Sequence, residues 1–304
     1  MRSNYNIIEF ETIDSTNSFA LENFEFLEDK TIITSLEQTN GRGRFNRVWV
    51  SDNCENIYMS FLLKPFKKEN VSEMIIPPEA TRTLSKKSLD NISETGEISD
   101  LQAEPMSTCD NQTRLMHRLS NSLESVDYMK LANLTQYLSV VVSKVLESYN
   151  ADVQIKYPND VLCEGKKICG ILCESFLKKG VIEGVVLGIG INLNTPQKIL
   201  DSIGQPAISL NIVTQTHIDR YVFLNKLIDE FFLNYDKVLE FGFSSFREDY
   251  LKRIRFLGKS VFIQQRDGDE KFQCTALKFD ENGNLIVKMP DGLEKKVLSG
   301  DLMI

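Results

Sequence analysis

The chain has 304 residues, 42% of them hydrophobic and 26% charged, which is enough for one large globular domain and a smaller second one. Its net charge of −8 excludes a surface given over wholly to nucleic acid, because phosphate binding favours a basic domain. Any site for an anion therefore has to be local.

The first residues, MRSNYNIIEF, carry no basic-then-apolar leader, and nowhere does a run approach the roughly 18 apolar residues of a membrane span. A cytoplasmic protein without a membrane partner is the expectation. Residues 7–13 are strand-like, and Asp14, Ser15, Thr16 and Asn17 are cap residues that open a short helix toward Phe24. TIITSLEQ (31–38) is a second strand, which runs into TNGRGRFNRVW (39–49). There Gly41 and Gly43 are expected to supply positive φ and close approach to a ligand. Arg42, Arg44 and Arg47 offer forked donors to phosphate, and Trp49, the one tryptophan, a flat face for a purine. On residue types alone the stretch fits an RNA-binding Arg-Gly patch equally well. NIYMSFLL (56–63) is a third strand, with Ile57, Met59, Phe61 and Leu63 on one face.

From Lys67 to Asp127 there is no aromatic residue, one glycine and fourteen Ser or Thr. Such a segment buries too little apolar area to offset its ordering entropy, and it reads as a disordered or loosely helical insertion. Leu131, Leu134, Leu138, Val141, Val142, Val145 and Tyr149 then recur at helical spacing. Short strands follow at VQIKY (153–157), ICGILCES (168–175) and GVVLGIGINL (184–193), the last apolar enough to be central in a sheet. KYPND (156–160) reads as a turn presenting Asn159 and Asp160, and Lys166-Lys167 as a hairpin tip. In GIGIN (188–192) the glycines weaken a buried strand, for which close approach of a ligand is the natural motive. A second helix runs from about Asp219 to Phe241. From Gly258 onward, short alternating strands between RDGD, DENGN and PDG turns form a small antiparallel barrel. The cysteines Cys54, Cys109, Cys163, Cys169, Cys173 and Cys274 form no Cys-x-x-Cys pair and read as reduced thiols on buried strands rather than a zinc site.

DSTN (14–17), QTNGRGRFNRVW (38–49), KYPND, KKICGILCE (166–174) and GIGIN, in this order, resemble the biotin–protein ligase family in its catalytic and C-terminal domains. Two positions depart from the family pattern, Asn46 where Gly is usual and Tyr157 where Trp is usual; Asn tolerates positive φ and Tyr keeps the ring. The resemblance implies an α+β fold: a mixed-sheet catalytic domain of the class II synthetase and lipoate-ligase kind (1–253, interrupted by 67–127), flanked by helices, with an SH3-like barrel at 254–304. The first strand starts by about Ile7, so a monofunctional enzyme without an N-terminal DNA-binding domain is expected.

The implied reaction forms biotinoyl-AMP from biotin and ATP with Mg²⁺, then passes biotin to a lysine of a biotin carboxyl carrier domain. Carried over residue by residue, Ser15, Thr16, Asn17, Gln38, Gly41, Arg42, Gly43, Gly170 and Ile171 would hold biotin. Arg44, Arg47, Trp49, Lys156, Asn159, Asp160 and Asn192 would hold ATP or the adenylate, with Asp160 also the candidate metal ligand. Lys167, Arg44 and Arg47 are the expected catalytic residues, with Lys167 central and bridging the biotin carbonyl oxygen and the α-phosphate. Glu174 and Lys166 are left to structural or surface duty. The like-charged loop is expected to gain order with biotin and adenylate. A homodimer is compatible with the resemblance. Lipoate–protein ligase is the nearest rival reading, and a nucleic-acid module using the Arg-Gly loop a distant one.

Overall fold

The computed structural model describes residues 5–51, 55–65, 126–179, 181–265, 268–298 and 300–303. The insertion expected at 67–127 falls outside these residues apart from its last two, as do Cys54 and Cys109.

Seven strands form the larger sheet: β1 (Asn6–Ile13), β2 (Thr31–Gln38), β3 (Ile57–Leu63), β4 (Val153–Lys156), β5 (Asp160–Cys163), β6 (Lys166–Lys178) and β7 (Val181–Ile191). Their spatial order is β1-β2-β3-β7-β6-β5-β4. Only β1 and β2 pair in parallel; every other neighbouring pair is antiparallel. The near-continuous apolar strand β7 takes the middle position, as its composition required. The sequence reading missed β5, because four residues squeezed between two turn signals show no period.

Alternation divides the sheet into two faces. Ile57, Met59, Phe61 and Leu63 of β3 and Val185, Leu187, Ile189 and Ile191 of β7 enter the main core. Two long helices, α2 (Val126–Glu147) and α5 (Arg220–Phe241), cover that face with Leu134, Leu138, Val141, Leu227, Phe231 and Tyr235. Asp219 caps α5, its side chain accepting from the Tyr221 and Val222 amides. The opposite face carries a smaller core under α1 (Thr16–Glu22), in which Ala20 and Phe24 meet Ile33, Leu62 and Val186. Next to it on the same face lie Ser60, Gly170, Leu172, Gly188 and Gly190. Small residues there leave that half of the face open to a ligand.

Two short helices, α3 (Gln197–Leu200) and α4 (Leu210–Thr214), follow β7, and α6 (Arg247–Leu251) follows α5. None of these was read from the sequence, as each is a single turn. The chain ends in a five-stranded antiparallel sheet of order β11-β10-β9-β8-β12, compatible with an SH3-like barrel. Its strands are β8 (Ser260–Gln264), β9 (Phe272–Phe279), β10 (Leu285–Lys288), β11 (Glu294–Val297) and β12 (Asp301–Met303). At three residues, β12 is too short to show alternation.

The barrel packs firmly on the larger sheet. Phe279 meets Tyr157, Phe243 and Tyr250, and the Tyr157 hydroxyl donates to the Val297 carbonyl at 3.2 Å. Tyr at this position therefore adds a hydrogen bond between the two sheets. Asn133 and Gln136 of α2 donate to the carbonyls of Asn282 and Gly283 in the β9–β10 turn. The result is an α+β protein with the barrel held against the β4–β5 end of the sheet. Among the described residues no helix is long and apolar enough to cross a membrane.

Candidate active site

A cleft of about 760 Å³, counting its open mouth, lies on the small-residue face of the sheet. Seven separate stretches build its walls, and they give it two chemically different ends.

The first end is polar and uncharged. Ser15 is the N-cap of α1, and the same turn delivers Thr16 and Asn17 to the cleft. The Thr16 amide donates to Gln38 Oε1 at 2.8 Å, tying the helix to the end of β2. Ser60 Oγ lies 2.7 Å from Thr16 Oγ1 and donates to Asn17 Oδ1 at 2.6 Å. Asn17 Nδ2 in turn donates to Glu174 Oε2 at 2.8 Å. Ser60 and Glu174 are both buried, and the sequence reading used neither in the site. Both carried a signal: each is a polar residue within an apolar strand, and a buried polar group must find a partner.

The second end is cationic. Residues 41–49 fold back as a small hairpin: the Trp49 amide donates to Gly41 O, the Gly43 amide to Arg47 O, and Arg42 bridges Val48. Neither glycine takes positive φ, contrary to the expectation; Gly43 is extended at φ −118°. Gly41 is needed for space, since a Cβ there would lie 2.6 Å from the Trp49 carbonyl oxygen. The left-handed residue of the turn is Phe45 (φ 55°, ψ 42°), with the Arg44 and Arg47 guanidinium groups over its ring. The backbone thus places its tight bend one residue before Asn46, whose side chain is outside the described residues.

Each arginine of this hairpin meets a carboxylate. Arg42 pairs with Glu174 at 3.0 Å. Arg44 and Arg47 both pair with Asp301 of β12, at 2.9 and 2.8 Å. Arg44 also donates to Asn159 Oδ1 at 3.3 Å. Asn159 is stitched to β6 through reciprocal bonds with Ile171, its Nδ2 donating to the Ile171 carbonyl and its own carbonyl accepting the Ile171 amide. Asp160 opens β5 rather than capping a loop, opposite Gly170, and its carboxylate holds Lys167 Nζ at 2.8 Å. Lys167 is also held by its backbone, which pairs with Pro206 and Ile208 in the segment leading to α4. That segment brings Gln205 to the cleft, another residue not anticipated.

Trp49 lies flat over the cross-strand glycine pair Gly170 and Gly190, where an added Cβ would fall 2.8 and 2.4 Å from the indole. Lys167 Nζ sits 5.5 Å from the centre of the ring. The indole Nε1 and Arg42 Nε are buried donors without an acceptor. Two orphaned donors on one hairpin mark it as built for a further polar partner.

Of the residues selected from the sequence, Ser15, Thr16, Asn17, Gln38, Arg42, Gly43, Arg44, Arg47, Trp49, Asn159, Asp160, Lys167, Gly170 and Ile171 line this one cleft. Three do not. Gly41 supports the hairpin from below, and Lys156 pairs opposite Asp160 one strand further out. Asn192 is buried and donates to the Ile208 carbonyl, so it braces the segment behind Lys167. The remaining thiols sit on β5, β6 and β9, with Cys163, Cys169 and Cys274 buried.

Comparison with known proteins places these motifs in a wider group. The Biotin/lipoate A/B protein ligase family matches residues 9–102 and 118–192. The chain is 25% identical over 274 residues to the Bifunctional ligase/repressor BirA of Bacillus subtilis (strain 168), covering 90% of this chain and 65% of the relative. It thus spans about two thirds of that protein's length. It is 31% identical over 144 residues to the Biotin--[acetyl-CoA-carboxylase] ligase of Paracoccus denitrificans, covering 47% of this chain and 59% of the relative. Among solved structures, the biotin protein ligase from Aquifex aeolicus in complex with biotin and ATP shares the fold, with a TM-score of 0.63 and 24% identity, over 98% of this chain and 97% of the other.

Proposed function

Since the chain belongs to the Biotin/lipoate A/B protein ligase family, we propose that it is an ATP-dependent biotin–protein ligase that acts on a biotin carboxyl carrier domain. The observation that carries this reading is the two-ended cleft: an uncharged hydrogen-bonding end at Ser15, Thr16 and Gln38 beside a cationic end at Arg44, Arg47 and Lys167. The relatives named for biotin ligation, and the solved fold relative that holds biotin and ATP, support the same reading.

In the first step the biotin carboxylate oxygen attacks the α-phosphorus of ATP, the bond to the β-phosphate oxygen breaks, and pyrophosphate leaves. Two anions have to meet, so the main requirement is charge neutralisation in a fixed geometry. Lys167, at the cationic end, would bridge a carboxyl oxygen and an α-phosphate oxygen. Arg44 and Arg47 would exchange the Asp301 carboxylate for phosphate oxygens, a like-for-like replacement of one anionic partner by another. In the second step a lysine amine of the acceptor attacks the acyl carbon and AMP departs. Lys167 would then stabilise charge on the departing phosphate. No nucleophile of the enzyme is consumed.

Mg²⁺ keeps most of its ligands as water and substrate phosphate and asks for only one or two protein carboxylates. Among the described residues no three His, Cys, Asp or Glu side chains form a metal site. Asp160 is the carboxylate suited to that role, and the ion would neutralise triphosphate charge there.

The test is a biotin-dependent ATP–pyrophosphate exchange assay run against lipoate, followed by mass spectrometry of a carrier domain incubated with the protein, biotin and Mg-ATP. One biotinoyl adduct on one lysine is the expected result. Exchange with lipoate and none with biotin would transfer the proposal to the other branch of the family.

A further inference from the structure

Glu174 lies behind the cleft wall, on the cleft side of β6. On β6 the side of the sheet facing the cleft carries Gly170, Leu172 and then Glu174, opposite Gly190, Gly188 and Val186 of β7. The carboxylate is only 5% exposed, and a buried charge of this kind persists only when it is paired and hydrogen-bonded. Its Oε2 accepts from two directions, from Asn17 Nδ2 at 2.8 Å and from Arg42 Nη2 at 3.0 Å. Those two donors come from α1 and the basic hairpin, so Glu174 ties the polar end of the cleft to the hairpin.

From these contacts we infer that Glu174 is a positioning residue: it sets the pose of Asn17 and Arg42 and so fixes the affinity of that end for a neutral ring bearing a carbonyl acceptor. The inference rests on the biotin ligase reading for the identity of the ring. Asn17 has one orientation available. Its Oδ1 takes the Ser60 hydroxyl, its Nδ2 faces Glu174 and the Leu172 carbonyl, and Gly188 beneath it leaves no room for a Cβ. Arg42 spends Nη2 on Glu174, while its Nε remains a buried donor without an acceptor on the cleft wall.

Charge makes a second contribution. Glu174 neutralises Arg42 one-to-one, whereas Arg44 and Arg47 share the single carboxylate of Asp301, so the excess positive charge that draws a carboxylate or phosphate lies at the other end. A ligand with one neutral ring and one anionic tail can then enter in one direction only. Removing the Glu174 charge places an uncompensated guanidinium at the ring end and blurs that direction.

The experiment uses Glu174→Gln, Glu174→Asp, Arg42→Gln and the Glu174→Gln/Arg42→Gln double variant. KM for biotin and kcat are read from pyrophosphate exchange, and acrylamide quenching of Trp49, the sole tryptophan, reports the hairpin without substrate. Glu174→Gln and Arg42→Gln should each raise KM for biotin on the order of tenfold, the factor expected for one charge-assisted hydrogen bond, with kcat nearly unchanged. The double variant should be no worse than either single one, and Glu174→Asp should recover part of the loss. Quenching should increase in both single variants. A kcat loss at unchanged KM, or single effects that multiply in the double variant, would overturn the inference. If Glu174→Gln does not fold, unchanged KM and quenching in Arg42→Gln would overturn it equally. Absence of biotin-dependent exchange in the unmodified protein would reject the ligase reading instead, and quenching would still decide whether Glu174 and Arg42 act together.

Discussion

Arg44 Nη1 lies 2.9 Å from the Asp301 carboxylate, so the last strand of the barrel neutralises the tip of a hairpin 257 residues earlier. Arg47 reaches the same carboxylate, but its side chain is 56% exposed and that second pair contributes little to stability. The Arg44 pair, with both partners under 20% exposed, should dominate. Asp301→Asn is expected to destabilise the protein by about 2 kcal/mol. It should also speed tryptic cleavage after Arg44 and Arg47 several-fold. Denaturant melts and timed proteolysis measure both. Unchanged cleavage would mean that the barrel does not hold the hairpin.

Lys167 is held from three sides: by Asp160 through its ammonium, by Trp49 through its ring, and by the 206–208 segment through its backbone. Its position is therefore fixed before substrate arrives, as electrostatic catalysis requires. Lys167→Ala should lower adenylate formation on the order of 10²-fold or more, alongside the loss of about 2 kcal/mol in stability expected from leaving the largely buried Asp160 carboxylate unpaired. Pyrophosphate exchange measures the first and calorimetry the second. Near-normal exchange would remove Lys167 from its proposed role.

Much of this site was legible in the chain because its motifs are local. DSTN is a helix cap, and caps show in sequence. The apolar run 184–193 announced the central strand, and the alternation of Ile57, Met59, Phe61 and Leu63 announced the core face. Partners were not legible, since they join distant segments. Asn17 meets Glu174 across 157 residues and Arg44 meets Asp301 across 257. Counting three arginines without their carboxylates suggested a loop of unrelieved like charge. With Glu174 and Asp301 in place, each arginine has a counterion and the stretch forms a hairpin. Asn192 is a further case: a polar residue after a glycine-rich strand resembles a ligand contact, and its bond to the Ile208 carbonyl, across 16 residues, could not be read from the strand itself.

Buried thiols and phenols give the protein a defined alkaline limit. Burial pushes the Cys163 thiol up to about 11 and the Tyr157 hydroxyl up to about 12, and it raises Cys169, Tyr137, Tyr235 and Tyr250 as well. In each case the folded form keeps its proton to higher pH than the unfolded chain does. The stabilisation is therefore complete below the ordinary values, about 9 for Cys and 10 for Tyr, and is lost as pH rises through the folded values. Melting temperatures should be flat from about pH 7 to 8 and fall steadily above about pH 9. Tyr157→Phe should cost about 1 kcal/mol at neutral pH through loss of the bond to Val297, with a shallower decline above about pH 10. A decline as steep as in the unmodified protein would assign the alkaline limit to other groups.

The close seat of Trp49 on the sheet gives the last prediction. A Cβ at Gly190 would stand 2.4 Å from the indole, inside any real contact distance, so Gly190→Ala has to lift the ring off β7. Its emission should shift toward that of a water-exposed indole. Its acrylamide quenching should rise, and adenylate affinity should fall on the order of tenfold, as expected for loss of a well-packed aromatic contact. Gly204→Ala is the matched control, since nothing lies within 4 Å of a Cβ there, and its emission should be unchanged. If Gly190→Ala leaves emission and quenching where they were, the indole does not rest on the glycine pair, and the narrow residues of β6 and β7 serve some other contact.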